Sequence, residues 1–454
     1  MRKFIFLIFL FQISWVHAQD TFRLKGQIKN LPNQSVYLLD FYGIENSLVD
    51  STNANSAGFF SFTFDADIPV GLFRLVVGGR SWDFIYNKEN IELYSDYNFL
   101  IDSMKIIESV ENKLLNEYLL FLKSIDNKIN ELQKLKNLYV TNDSFFEEIE
   151  EEENNLETII PRDYVNNLIK DNQHTFVARF LKTEQFPAIN DSIANEKRIE
   201  YITEHMFDNV DFTDTALINS PVYIQKVRTY FSLINNIGDF DEVEQAYIVA
   251  LNKLMSKAAV NDKVFNFILE DISNGFEQSD YELFFAYLTE NYLLESSCKN
   301  EEENKELKER LDDFKRLANG NKAPEIDIIL EDSSRLILSE MEANYKLIIF
   351  WAGWCGHCKI ILPEIKKLYD EYKNSGFEII AISLDNENYE WKNAIEEGNY
   401  DWINYSELSG WDCPAAIDYG ITATPTLYLL DKNNTIILKP RTADQLRRKL
   451  SQLL

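Results

Sequence analysis

Two cysteines, Cys355 and Cys358, stand three positions apart in Trp351-Ala352-Gly353-Trp354-Cys355-Gly356-His357-Cys358-Lys359, directly after the apolar run Leu347-Ile348-Ile349-Phe350. The run reads as a buried strand, which places the thiol pair at a strand-to-helix junction. Thiols at this spacing can close a small disulfide, with Cys355 as the exposed attacking sulfur and Cys358 as the resolving one. Unpaired backbone N–H groups and the positive end of the helix dipole favour a thiolate, so Cys355 is expected below the ~8.5 of a free cysteine. A protonated His357 between the sulfurs favours the dithiolate over the disulfide and makes the pair more oxidising. His357, Gly356 and Trp354 are therefore the expected redox-tuning residues.

The competing use of such a pair is half of a zinc site, which needs two further Cys or His ligands at comparable spacing. The chain has four cysteines and four histidines in 454 residues, and none completes such a set nearby. No resident metal or other cofactor is expected, although capture of copper(I) by the thiols with His357 is a separate reading.

Pro363 lies eight residues after Cys355, and Thr424-Pro425 stands just before Thr426-Leu427-Tyr428-Leu429-Leu430. Together with the motif, these residues resemble the thioredoxin superfamily. The resemblance implies a kink at Pro363 and a cis Thr424–Pro425 bond facing the disulfide, with Thr424 and Pro425 binding substrate. A trans proline at an edge strand is the plainer alternative. Lys346–Phe350 and Phe377–Ser383 read as strands flanking a helix that carries Ile360, Ile361, Ile365 and Leu368, an order that implies a parallel pair. A helix near Tyr389–Glu397, a hairpin of Thr426–Leu430 with Thr435–Leu438, and a closing helix with Leu446, Leu450 and Leu453 follow. The insert with Gly410-Trp411 and Tyr419-Gly420-Ile421 resembles the extracytoplasmic TlpA/ResA-type branch.

The branch and its relatives carry a buried carboxylate where this chain has Ile349 and Ile361. Neither isoleucine can take the proton that Cys358 must lose. Water, His357 or a carboxylate from elsewhere, with Asp385 as one candidate, must serve instead.

At the other end, Arg2-Lys3 precedes the apolar stretch Phe4–Val16, and Val16-His17-Ala18 offers a cleavage site. This reads as a secretory signal peptide, residues 1–18, and points to an exported, periplasmic, soluble protein. The length leaves room for further domains. Residues 19–104 alternate with period two, as in Phe22, Leu24 and Ile28 or Phe60, Phe62 and Phe64. A small antiparallel sandwich or barrel is expected there, resembling the β-rich domain that precedes thioredoxin modules in exported Bacteroidota proteins. Across 105–318 the period becomes helical. The stripe Leu115, Tyr118, Leu122, Ile125, Ile129, Leu132 and Tyr139 marks a long helix, packed in its own chain or paired as a coiled coil. The thioredoxin-like α/β module then occupies 319–454.

With 45 Lys and Arg against 74 Asp and Glu, the net charge of −29 excludes nucleic acid as an expected partner. The run Glu147-Glu148-Ile149-Glu150-Glu151-Glu152-Glu153 reads as a solvated face, lacking the spaced ligands of a calcium loop. Cys413 could approach the redox pair as a third thiol, pack as a small apolar residue, or pair with Cys298.

The function expected is an exported thiol–disulfide oxidoreductase that reduces, oxidises or isomerises protein disulfides. The resemblance implies a membrane partner that supplies electrons. The alternative is an envelope polypeptide-binding protein with an accessory thioredoxin-like module. Clients, direction of electron flow and oligomeric state are set outside the motif.

Overall fold

The computed structural model describes residues 21–31, 34–65, 67–139, 144–189, 193–235, 238, 240–277, 279, 281–294 and 301–454. The expected signal peptide and Cys298 lie outside the described residues. The chain divides into two compact units, Met1–Phe284 and Phe285–Leu454.

In the first unit, period-two alternation produces eight strands. They are β1 (Phe22–Lys29), β2 (Ser35–Tyr42), β3 (Glu45–Asn53), β4 (Phe59–Phe64), β5 (Gly71–Val77), β6 (Arg80–Tyr86), β7 (Ile91–Asp96) and β8 (Lys105–Glu108). Two four-stranded sheets, ordered β4-β1-β7-β8 and β3-β2-β5-β6, share one apolar core. Leu24, Ile28, Phe60, Phe62 and Phe64 from one sheet face Leu38, Phe73, Leu75 and Phe84 from the other, so this is a sandwich. It is not wholly antiparallel, because β1 and β7 pair in parallel. The strand β8 continues the sheet past residue 104.

Helices follow: α1 (Val110–Lys136), α2 (Ser144–Asn154), a π-helical turn at Asn155–Ile159, α3 (Ile160–Asp171), α4 (Phe176–Glu184), α5 (Asn195–His205), α6 (Val222–Ile234), α7 (Phe240–Ala258), α8 (Asp262–Phe276) and α9 (Glu282–Leu288). The first turn of α1 is tied to the sandwich. Asn112 accepts from Ile85 N–H at 2.8 Å and donates to Ile85 C=O at 2.7 Å, extending the free edge of β6. Buried Glu111 accepts from the N–H groups of Phe176 and Val177 at 2.7 and 2.9 Å, satisfying orphan donors at the start of α4. Of the apolar stripe of α1 only Ile125 is buried, and Phe121 beside the stripe stacks on Tyr164 of α3 at 3.9 Å. Tyr139 falls beyond the helix and is exposed. The acidic run lies in α2, with Glu150 and Glu153 paired to Lys136.

The second unit contains α10 (Glu301–Arg316), a hairpin of β9 (Asp327–Ile329) and β10 (Arg335–Ile337), then β11 (Tyr345–Trp351), α11 (Cys358–Tyr372), β12 (Phe377–Ser383), α12 (Asn388–Gly398), β13 (Ile403–Ser406), α13 (Pro414–Asp418), β14 (Thr426–Asp431), β15 (Ile436–Leu438) and α14 (Ala443–Leu453). The sheet order is β13-β12-β11-β14-β15. β12 runs parallel to β11 and β13, whereas β14 is antiparallel to β11 and β15. Because both faces of β11 are covered, Leu347–Trp351 is an unbroken apolar run. Leu347, Ile349 and Trp351 pack with α11 and α14, while Ile348 and Phe350 pack on the opposite face with Leu317, Ile326 and Tyr419. Ile361, Ile365 and Leu368 of α11 enter the core, but Ile360 is 72% exposed. Among the described residues no helix is long and apolar enough to cross a membrane.

Candidate active site

The end of β11 delivers the chain into a tight turn, and α11 begins at Cys358. Cys355 N–H donates to Ala352 C=O at 3.1 Å, closing the turn. Cys355 and Cys358 form a disulfide with Cα atoms 5.3 Å apart. The N–H of Cys358, an orphan donor of the first helical turn, points at Cys355 Sγ at 3.0 Å. A thiolate at Cys355 would receive the same hydrogen bond, which is how a helix start lowers a thiol pKa.

Across from the pair, the Thr424–Pro425 peptide is cis, and Thr424 C=O lies 3.3 Å from Cys355 Sγ. Thr424 and Pro425 are half-buried at the entrance to β14. This cover leaves Cys355 only 5% exposed, more enclosed than the spacing suggested, and Cys358 1%. Around them Gly356 and His357 are exposed, with His357 at the N-cap of α11 and making no side-chain capping bond. Pro363 lies within α11.

Trp354 is 50% exposed and meets Trp411, 45% exposed, with ring centroids 6.4 Å apart. Trp411 reaches it on a 3₁₀ turn, Gly410–Asp412. Gly410 has φ +60°, and a Cβ there would lie 2.6 Å from Asn386 Oδ1, so the turn needs glycine. Sequence reading noted the Gly410-Trp411 pair without linking it to the motif.

Beneath the disulfide the site is aromatic and apolar. Trp351 meets Tyr400 edge-on at 5.7 Å, and Tyr400 stacks on Trp402 at 4.7 Å. Ile349 and Ile361 are buried in the cluster that holds both cysteines, leaving those positions without a carboxylate. Asp385 is fully buried after β12, but its side chain is engaged with Gly353 and Ser383. Cys413 is a buried free thiol. It packs with Ile348, Phe350 and Tyr419 on the sheet face opposite the disulfide, which is the small-apolar-residue alternative and not a third active thiol. Burial pushes its pKa up, as for a structural cysteine.

Residues 319–439 match the AhpC/TSA family. Residues 22–115 match a domain of unknown function, DUF4369, and residues 153–274 another, DUF5106. The thiol-disulfide oxidoreductase ResA of Bacillus thuringiensis is 26% identical over 152 residues, 31% of this chain and 82% of that protein. ResA of Oceanobacillus iheyensis is 42% identical over 78 residues, 16% of this chain and 41% of that protein. A crystal structure of a thioredoxin-like protein from Bacteroides caccae is 25% identical, covering 60% of this chain and 98% of that one with a TM-score of 0.47. With the family match over 319–439 and the β11–β15 sheet, the C-terminal residues form a thioredoxin-like domain that follows a β-rich region and a helical one in the chain.

Proposed function

We propose that this chain is an exported thiol–disulfide oxidoreductase that exchanges disulfides with protein clients through Cys355 and Cys358. The observation that carries the reading is the disulfide at the start of α11, with the Thr424 carbonyl beside Cys355 and the exposed rings of Trp354 and Trp411 alongside. In the reducing direction, Cys355 thiolate attacks a client disulfide, forming a Cys355–client bond and releasing one client thiolate. Cys358 loses its proton and attacks Cys355 Sγ, which forms the Cys355–Cys358 disulfide and releases the second client thiolate. The client gains two electrons and the enzyme pair loses them. The reverse sequence oxidises a client dithiol.

Thr424 and Pro425 are assigned to client binding, and Trp354, Gly356 and His357 to tuning. With Ile349 and Ile361 in the carboxylate positions, His357 and water are the proton acceptors available to Cys358. Export rests on the N-terminal sequence, and regeneration is assigned to a membrane electron donor by family resemblance.

Trapping tests the reading. Cys358→Ser should accumulate a mixed disulfide with a reducible client, and Cys355→Ser should trap none. Equal turnover by wild type and Cys355→Ser would contradict it.

A further inference from the structure

Gly353, two residues before Cys355, donates its N–H to both oxygens of Asp385, at 3.0 Å to Oδ1 and 2.9 Å to Oδ2. Ser383 Oγ donates to Oδ2 at 2.7 Å and itself accepts from Asp385 N–H at 3.0 Å. Asp385 is 0% exposed. Both oxygens of the side chain accept hydrogen bonds. A fully buried charge is costly unless donors are arranged around it. Here one of those donors belongs to the turn that carries the redox pair. The approach is close on every side, since a Cβ on Gly353 would lie 3.3 Å from Asp385 Oδ1 and 3.1 Å from Glu390 C=O.

Resting on the proposed redox role of Cys355 and Cys358, we propose that Asp385 is a positioning residue that pins the active-site turn and makes the couple more reducing. Its hydrogen bonds to Gly353 fix the backbone that aims Cys355 at Thr424. Its negative charge under that turn opposes formation of the Cys355 thiolate, and a less stable reduced form lowers the reduction potential. The effect runs against the helix N-terminus and a protonated His357, both of which stabilise the thiolate. This differs from a proton acceptor for Cys358, because the role assigned to Asp385 runs through the hydrogen bonds that both its oxygens accept from Gly353 and Ser383.

The test is the equilibrium of the full chain with glutathione, in which the protein disulfide and two glutathione thiols exchange for the protein dithiol and glutathione disulfide. Asp385→Asn keeps an acceptor for Gly353 and removes the charge. It should shift the constant toward the dithiol by ~3- to 10-fold, about 15 to 30 mV for a two-electron couple. Asp370→Asn removes an equal charge from the exposed side of α11 and should change the constant less than ~2-fold. Asp385→Ser, a smaller neutral replacement, provides a second arm should the asparagine variant fail to fold. A folded neutral variant with the wild-type constant, or one shifted toward the disulfide, would overturn the proposal. A wild type with no reversible couple would instead overturn the redox reading itself.

Discussion

In the proposed exchange, the reaction at Cys355 and Cys358 depends on access to one sulfur and proton removal from the other. Cys355 lies beside Thr424 C=O, with the Trp354–Trp411 pair alongside, while Cys358 is buried in the same apolar cluster as Ile361. Resolution should therefore be limited by proton transfer. Ile361→Glu would place a carboxylate in that wall, and general-base catalysis typically contributes ~10²–10⁴-fold. The account predicts faster release of a client from Cys355 in single-turnover quench experiments with this variant. Unchanged release in a folded Ile361→Glu protein would remove proton transfer as the bottleneck. The pairing of Cys355 with Cys358 was legible from their spacing, and the cis Thr424–Pro425 bond beside them from the family resemblance. The bonds from Gly353 to Asp385 were not, since 32 positions separate the partners. The place of Cys413 was left open among three alternatives, because closeness along the chain does not say which face of the sheet a residue joins.

The secondary-structure elements were legible where burial repeats regularly. The apolar runs Leu347–Trp351 and Ile379–Ile382 announced β11 and β12, which are covered on both faces. The parallel pairing of β1 with β7 was hidden, because alternation is the same in either direction. Helical spacing likewise placed Ile360 with the core residues of α11, although it faces solvent. Gly410 gives an element-scale prediction. Gly410→Ala must hold an L-residue in the left-handed region against Asn386, so it should lose about 1–2 kcal/mol and shift the Trp411 turn. Thermal unfolding and tryptophan fluorescence would read both effects, and unchanged values would show that glycine is not needed there.

Buried Lys226 on α6 supplies another. Its Nζ donates to Gln185 C=O at 2.6 Å and Glu184 C=O at 3.3 Å, at the C-terminal end of α4. Burial lowers its pKa from 10.5 to about 8, partly offset by the Glu184 carboxylate. Between those values the unfolded chain holds the extra proton, so stability should rise with pH. The gain, on the order of 1–3 kcal/mol, should vanish in Lys226→Met. Denaturant titrations at pH 8 and 10 would check this, and equal slopes in both proteins would contradict it.

Across the whole molecule, changes of period marked the β-rich and helical regions, and the resemblance carried by Cys355, Cys358 and Pro425 marked the thioredoxin-like one. The sequence did not disclose the side-chain ties between sandwich and helices, such as Asn112 on the β6 edge, because a polar residue at a helix start reads first as a local cap. The second unit has its own sheet and cores, so residues 285–454 should retain turnover of a small disulfide. If the first unit selects clients, the full chain should exceed the isolated unit on a protein client. Equal turnover there would remove that role. The most direct measurement for the molecule is the reduction potential of Cys355–Cys358, read by alkylation after equilibration in glutathione buffers with Cys355→Ser as control. The account predicts one reversible two-electron transition in the wild type and none in the variant. A wild type with no reversible transition would contradict it.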